Sequence, residues 1–325
     1  MTTEPSVSLL AACDHAELFN VELWPAQRAI LDAIDAGPRI QALCLGRRSG
    51  KTFMGALAML HNCLLSPHLR GMVRPGERRY AVGISTNVRQ ARLLVAAARS
   101  IIESSPALAR WVESATEDEI RFRNLTAIAA FPCSSRGGRG WAVSCLVMDE
   151  AAFFFSETDG PQAADEVWRA LSPSVAQFGD AGRIIVASTP NGPSGFFHDL
   201  YSRAQAGALP EARAHHAATS EVNPTITREF LASEAARDPD GYRAEYEAEF
   251  VEGGGAFFDT RELELVDAPA RPEDGRRWVA GADPAFSRDQ WGLAVGPEDV
   301  VHPVLLGGWW CQSPSPKEKP DEAAR

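Results

Sequence analysis

The sequence predicts an α/β protein whose mostly parallel sheet is flanked by helices, followed by the start of a second, smaller domain. Three observations carry this prediction. Short apolar runs alternate with helical stretches as far as Thr189. One run, Ile40–Leu45, leads through a glycine-containing turn into a helical stretch that begins at Lys51. Another, Cys145–Met148, ends in two consecutive carboxylates, Asp149 and Glu150.

The elements follow in order. Ile40–Leu45 reads as a strand and Lys51 to about Leu65 as a helix. Tyr80–Ile84 is a second strand, with a helix from Val88 to about Glu103. Ile120–Phe122 and Ala127–Phe131 suit a hairpin, and Ser144–Met148 and Arg183–Ala187 read as buried strands. Strands separated by helical patterns argue for a parallel sheet covered on both faces. After Thr189 the pattern changes. Pro190–Ser194 is rich in turn residues, Phe196–Arg203 reads as helix, and Glu229–Phe250 reads as helix with a break near Asp238-Pro239-Asp240-Gly241. Gly253-Gly254-Gly255 forms a joint. A new strand, Trp278–Asp283, follows the polar segment Pro272–Arg277, with another at Trp291–Val295. These features divide the chain into residues 1–265, with a linker subdomain over 195–265, and residues 266–325.

Composition narrows the function. A content of 45% hydrophobic and 23% charged residues is that of an ordinary globular protein. No apolar run approaches the roughly 20 residues that span a bilayer, and the first residues carry no basic segment before their short apolar stretch. The six cysteines, at 13, 44, 63, 133, 145 and 311, form no CxxC pair, which disfavours a zinc site or disulfide framework and suits a reducing cytoplasm. A net charge of −11 excludes coating nucleic acid by bulk charge. It leaves room for a local basic surface.

Lysine occurs only at 51, 317 and 319. The first stands in Leu43-Cys44-Leu45-Gly46-Arg47-Arg48-Ser49-Gly50-Lys51-Thr52, where a strand turns into a helix. Backbone N–H groups of such a turn, with the helix N-terminus, make an anion cradle. Gly46, Arg48, Ser49 and Gly50 are read as the cradle, Lys51 as reaching the β- and γ-phosphates of ATP, and Thr52 as offering its hydroxyl to Mg²⁺. The usual spacing places glycine at Leu45 rather than Gly46, so the pattern is off by one residue. At the end of the acidic strand, Asp149 is read as a holder of the Mg²⁺ shell and Glu150 as the group that orients and deprotonates water. An ordinary strand end with solvated acids fits that second segment alone; the pairing with Lys51 favours the nucleotide reading.

Taken together these residues resemble the large terminase subunits of tailed phages and related gene transfer agents. Leu23-Trp24-Pro25-Ala26-Gln27 looks like the family's upstream element, Gly46–Thr52 its variant phosphate loop with an arginine at Arg47, and Arg139-Gly140 its Arg-Gly element. Asp149-Glu150-Ala151-Ala152 is similar to its Walker B segment, and Ser188-Thr189-Pro190-Asn191-Gly192 to its coupling motif. Asn223-Pro224 and Glu245-Tyr246 with Glu249-Phe250 resemble its linker. The resemblance covers roughly residues 20 to 295. It implies a P-loop NTPase fold of the RecA/ASCE type followed by an RNase H-like nuclease. Gln27 would read the adenine edge, and Arg47 and Arg139 would stabilise the transferring phosphoryl group, Arg139 in a neighbouring subunit. Ser188, Thr189 and Asn191 would couple hydrolysis to movement. Asp283 would be the first ligand of two divalent metals in the nuclease.

The stretch after Gly296 loses the resemblance and the later acidic ligands are absent, so the nuclease part is expected to be incomplete and inactive. The implied function is an ATP-driven motor that moves double-stranded viral DNA into a procapsid as a homo-oligomeric ring, with a small terminase subunit and a portal protein as partners and no membrane. The Arg-bearing segments Arg89–Arg99 and Arg136–Arg139 are candidates for DNA contact. A helicase-like repair ATPase and a degenerate prophage remnant without catalysis remain the alternatives.

Overall fold

The computed structural model describes residues 7–134 and 138–251, together with the strand segments 278–283, 292–297 and 308–309. The chain divides into two compact units, Met1–Ala256 and Phe257–Arg325. The expected division at 265/266 lies outside the described residues.

The first unit opens with α1 (Leu9–Asp14) and α2 (Pro25–Ala36). Pro25 starts α2 at its first position, where its missing N–H costs nothing. β1 (Ile40–Leu45) is buried along its whole length, as a strand covered on both faces must be. α3 (Lys51–Leu65) follows, and it stops at Ser66 because Pro67 disfavours a helical residue before it. β2 (Arg79–Ser85) leads to α4 (Val88–Ser104), whose N-cap Asn87 accepts a hydrogen bond from Gln90 N at 3.1 Å. Ala91, Leu94, Val95, Ala98, Ile101 and Ile102 form the buried stripe of α4. Then come α5 (Pro106–Ala109), β3 (Val112–Ala115), β4 (Glu119–Phe122), β5 (Thr126–Pro132) and β6 (Ala142–Asp149). The unit closes with α6 (Ala163–Ala176), β7 (Arg183–Ser188), α7 (Phe196–Gln205), β8 (Ala212–Ala217), α8 (Thr219–Val222), α9 (Arg228–Arg237) and α10 (Pro239–Glu245).

One eight-stranded sheet runs in the order β3-β4-β5-β2-β6-β7-β1-β8. The pairs from β5 to β8 are parallel; the expected hairpin of β4 and β5, with β3 beside it, is antiparallel. One core packs α1 to α4 against one face, centred on Leu57, Met59, Leu94 and Val147. The other packs α6 and α7 against the opposite face, centred on Val82, Leu146, Leu171 and Phe197. No helix among the described residues is long and apolar enough to cross a membrane.

The order of strands places the site. β7 is inserted between β6 and β1, with Asp149 opposite Ala187 and Cys44 opposite Ser188. The phosphate loop after β1, the carboxylates after β6 and the Ser-Thr end of β7 therefore share one sheet edge, the carboxyl edge where open α/β sheets bind ligands. The sequence reading is corrected at the linker. The helix expected to run to Phe250 ends at Glu245, and Tyr246–Val251 continues without helix. The expected break is real and falls at Asp238, which caps α10 by accepting from Gly241 N at 3.0 Å.

In the second unit β9 (Trp278–Asp283), β10 (Gly292–Pro297) and β11 (Gly308–Trp309) form an antiparallel sheet in the order β11-β10-β9. Asp283 pairs with Gly292 at the end of β9. Its side chain lies outside the described residues.

Candidate active site

The turn after β1 is curled by two left-handed residues, Arg48 (φ 61°) and Gly50 (φ 83°). Such alternation bends the backbone into a concave anion cradle ahead of the helix N-terminus. Ser49, fully buried, closes the turn by donating to Gly46 O at 2.6 Å. Gly50 suits its place through its positive φ, and a Cβ there would press on Gln27 Nε2 at 2.6 Å.

Lys51, the first residue of α3, is buried at 6% exposure. Its Nζ donates to Leu45 O at 3.1 Å and Gly46 O at 3.3 Å, and lies 3.9 Å from Glu150 Oε1. The ammonium is thus held at the mouth of the cradle. Gln27 sits on the same loop. Its Nε2 donates to Ser49 O at 3.0 Å while its Oε1 accepts from Trp24 N at 3.2 Å. The amide therefore ties the start of α2 to the cradle.

Asp149 ends β6 and is 2% exposed. Its Oδ2 accepts from Thr52 Oγ1 at 2.7 Å. Its Oδ1 is buried with no hydrogen-bond partner among the described residues. An orphaned carboxylate oxygen beside a hydroxyl is the hard-oxygen donor set that suits Mg²⁺, so the residues present fit that ion. Desolvation raises the Asp149 carboxyl from 3.8 to about 6, and the neighbouring Glu150 charge adds to the effect. Because this folded-state value lies above the free one, the protonated form favours folding. Stability from the group is present below pH 4 and is lost as pH rises through about 6. Asp149→Asn is therefore expected to stabilise the nucleotide-free protein at pH 7.5 by about 1–3 kcal/mol. The gain should vanish at pH 4. Urea unfolding at the two pH values checks this.

Glu150 adopts a left-handed conformation, φ 60° and ψ 44°. A non-glycine residue held there is strained by roughly 1 kcal/mol. The turn that follows it is clamped from β7. Ser188, fully buried, accepts from Ala152 N at 3.2 Å, and Asn191 Nδ2 donates to Ala152 O at 3.2 Å. Thr189 is buried beside them at 2% exposure. Ser85, at the end of β2, donates to Asp149 O at 3.1 Å and supports the strand end from the other side.

The linker grips the phosphate loop directly. Gly46 N donates to Ala217 O at 3.0 Å and Arg47 N to Glu245 O at 2.7 Å. Thr219 Oγ1 donates to Arg47 O, and Asn223 Nδ2 donates to Arg48 O, both at 2.8 Å. Arg47 Nε also pairs with Glu245 Oε2 at 3.2 Å. Sequence reasoning named Asn223 and Glu245-Tyr246 but missed Thr219, whose role depends wholly on tertiary contact. The displaced glycine of the phosphate loop has its explanation here. A Cβ on Gly46 would meet Thr219 Oγ1 at 2.4 Å, Tyr246 O at 2.5 Å and Thr219 N at 2.6 Å. Gly46→Ala is expected to push the linker off the loop and cost about 1–3 kcal/mol, read as a lower unfolding midpoint and faster proteolysis within residues 217–246.

Arg139 stands exposed in the turn before β6, flanked by Gly138 and Gly140, both with positive φ. Among the described residues it makes no hydrogen bond or ion pair with Lys51, Asp149 or Glu150. Residues 135–137, which include Arg136, lie outside the described part. Within the candidate segment on α4, Arg92 pairs with Glu117 at 2.6 Å and Asp118 at 2.7 Å. The structure thus brings together Gln27, Gly46, Ser49, Gly50, Lys51, Thr52, Asp149, Glu150 and the β7 end, with Arg47 and Arg48 at the rim.

Comparison with known proteins agrees with the fold. The ATPase domain of the Thermus phage P74-26 large terminase is similar over 76% of this chain and 100% of its own, with a TM-score of 0.55 and 22% identity. The HK97 bacteriophage large terminase matches over 93% of this chain and 67% of its own, with a TM-score of 0.57 and 17% identity. The large terminase of a thermophilic bacteriophage, in complex with ATP-γ-S, matches over 93% of this chain and 72% of its own, with a TM-score of 0.50 and 12% identity. At these identities the likeness establishes the shared fold. No curated protein matches the chain by sequence. The family model "Terminase large subunit, T4likevirus-type, N-terminal" matches residues 43–265, more than half of the chain, which therefore belongs to the terminase large subunit family.

Proposed function

We propose that the chain is the ATP-hydrolysing subunit of a viral DNA-packaging motor, working in the cytoplasm of an infected cell. The observation that carries this reading is the junction of Lys51, Thr52, Asp149 and Glu150 on one sheet edge, with the linker hydrogen-bonded to the phosphate loop itself. The cradle residues Gly46, Arg48, Ser49 and Gly50 hold the phosphates and Lys51 neutralises their charge. Thr52 and Asp149 would hold Mg²⁺, which would supply charge neutralisation on the phosphates. Glu150 accepts the proton of the attacking water, whose oxygen bonds to the γ-phosphorus as the bond to ADP breaks. Arg47 at the loop rim, and Arg139 in a neighbouring copy of a ring, supply positive charge to the transferring group. Gln27 positions the loop and the adenine.

Ser188, Thr189 and Asn191 carry the change at Glu150 into β7 and the elements beyond it. Double-stranded DNA, a small terminase subunit and a portal protein are the partners this role requires. The thermophilic-phage terminase, solved with ATP-γ-S, supports the nucleotide. Asp283 would be the first metal ligand of a two-metal nuclease.

Translocation and unwinding separate this reading from that of a helicase. With ATP and Mg²⁺, the protein should displace a third strand from duplex DNA while leaving the duplex intact. Separation of a forked duplex into single strands, with no third-strand displacement, would make it a helicase and overturn the motor reading.

A further inference from the structure

The sheet has a second concave edge, opposite the nucleotide site, where β2 and β5 begin and α3 ends. An open groove of about 730 Å³ lies there. Arg70, Arg74, Arg79 and Arg123 line it, and Glu77 is the one acid among its described lining residues. Glu77 is engaged locally, accepting from Arg74 N at 3.0 Å.

None of the four arginines has a carboxylate partner among the described residues. Their neighbours do: Arg78 pairs with Glu113 at 2.8 Å, and Arg121 with Glu119 at 3.0 Å. In a chain of net charge −11, a groove with four uncompensated guanidinium groups is a local reversal of sign.

Arg79 makes the case sharper. It is 4% exposed. Its Nη1 donates to Asn62 Oδ1 at 2.6 Å and Ser144 Oγ at 2.7 Å, and its Nη2 to Asn62 O at 2.9 Å. These partners belong to the last turn of α3 and to β6, so the guanidinium also caps the negative end of a helix. Every acceptor is neutral. With Nη2 also donating to Cys63 O at 3.5 Å, the charge is buried at the base of the groove among neutral acceptors and adds to the positive potential there.

The rim adds an apolar platform. Trp111 and Leu125 line the groove and are 41% and 45% exposed. Arg123 N donates to Trp111 O at 2.8 Å, which holds the indole and a guanidinium on adjacent segments. Guanidinium groups match phosphate oxygens in bidentate geometry, and an aromatic face accepts a base or sugar. We infer that this groove is a second phosphate-binding site, distinct from the ATP cradle, that takes phosphate groups carried on nucleic acid or on a free nucleotide. Duplex DNA as the carrier rests on the motor reading above.

The test uses the full chain and a combined Arg70→Ala/Arg74→Ala/Arg123→Ala variant. Arg79 is left in place because it supports α3. Thermal unfolding of the variant near the parent's midpoint establishes that it is folded. Binding of a fluorescein-labelled duplex is followed by anisotropy across a salt series, with inorganic phosphate and AMP as competitors. The expected result is at least about tenfold weaker duplex binding, with the slope of log K against log salt reduced by roughly 2–3, close to 0.9 per lost phosphate contact. If the parent binds phosphate or AMP at this groove, lost in the variant, and binds no duplex, the ligand is the small anion and the motor reading loses its DNA. Equal duplex affinity and slope in parent and variant overturn the groove and leave the motor reading intact. Displacement by an acidic peptide but by no phosphate ligand also overturns it.

Discussion

Lys51→Ala is expected to lower ATP turnover by at least about 100-fold, the scale on which removing one preorganised charge or donor from a phosphoryl-transfer or acyl-transfer site acts. Position sets the size of this effect. Lys51 is the one lysine within the first 316 residues, it is 6% exposed, and its Nζ is held by Leu45 O and Gly46 O at the mouth of the cradle. Neither loop arginine occupies the place of Lys51: both lie exposed at the rim, Arg47 paired with Glu245 at 3.2 Å. The same substitution removes the group 3.9 Å from Glu150. ATP affinity and turnover should fall together, which equilibrium titration with a fluorescent nucleotide and a phosphate-release assay read separately.

Glu150→Gln should behave differently. The amide keeps the length of the side chain and loses only its basicity, so ATP still binds while hydrolysis falls by about 10²- to 10⁴-fold. The backbone supports this assignment. Glu150 is held left-handed immediately after a fully buried strand, and Ser188 and Asn191 fasten the next turn at Ala152. Strain of that kind persists where the surroundings over-determine it. A variant that lost ATP binding as well as turnover would place Glu150 in the binding site and leave the general base unassigned.

Much of the sheet was legible because buried parallel strands are short continuous apolar runs. Ile40–Leu45, Ser144–Met148 and Arg183–Ala187 all fall within observed strands. The cradle was legible through the strand, turn and helix around Lys51. Other parts were not. β8, with the sequence Ala-Arg-Ala-His-His-Ala, is an edge strand without apolar alternation, and only its pairing with β1 makes it a strand. α6 carries Pro173 in its interior, a residue that argues against helix from sequence alone. The helix expected to reach Phe250 stops at Glu245 because the next residues are recruited elsewhere: Tyr246 O accepts from Thr219 N at 2.7 Å beside the phosphate loop. The irregular spacing of the loop, a puzzle within the sequence, became physical once Thr219 and Tyr246 were seen against Gly46. The order of strands, which inserts β7 between β6 and β1, is a property of tertiary pairing that no local pattern encodes.

A DNA-packaging motor differs from other ATPases most directly in the DNA dependence of its ATP turnover. Phosphate release by the full chain with Mg²⁺, measured with and without blunt double-stranded DNA and beside Glu150→Gln, is the deciding measurement. The prediction is turnover that requires Mg²⁺, rises with duplex DNA and disappears in Glu150→Gln. A folded protein that binds ATP and Mg²⁺ but releases no phosphate under any of these conditions would contradict it.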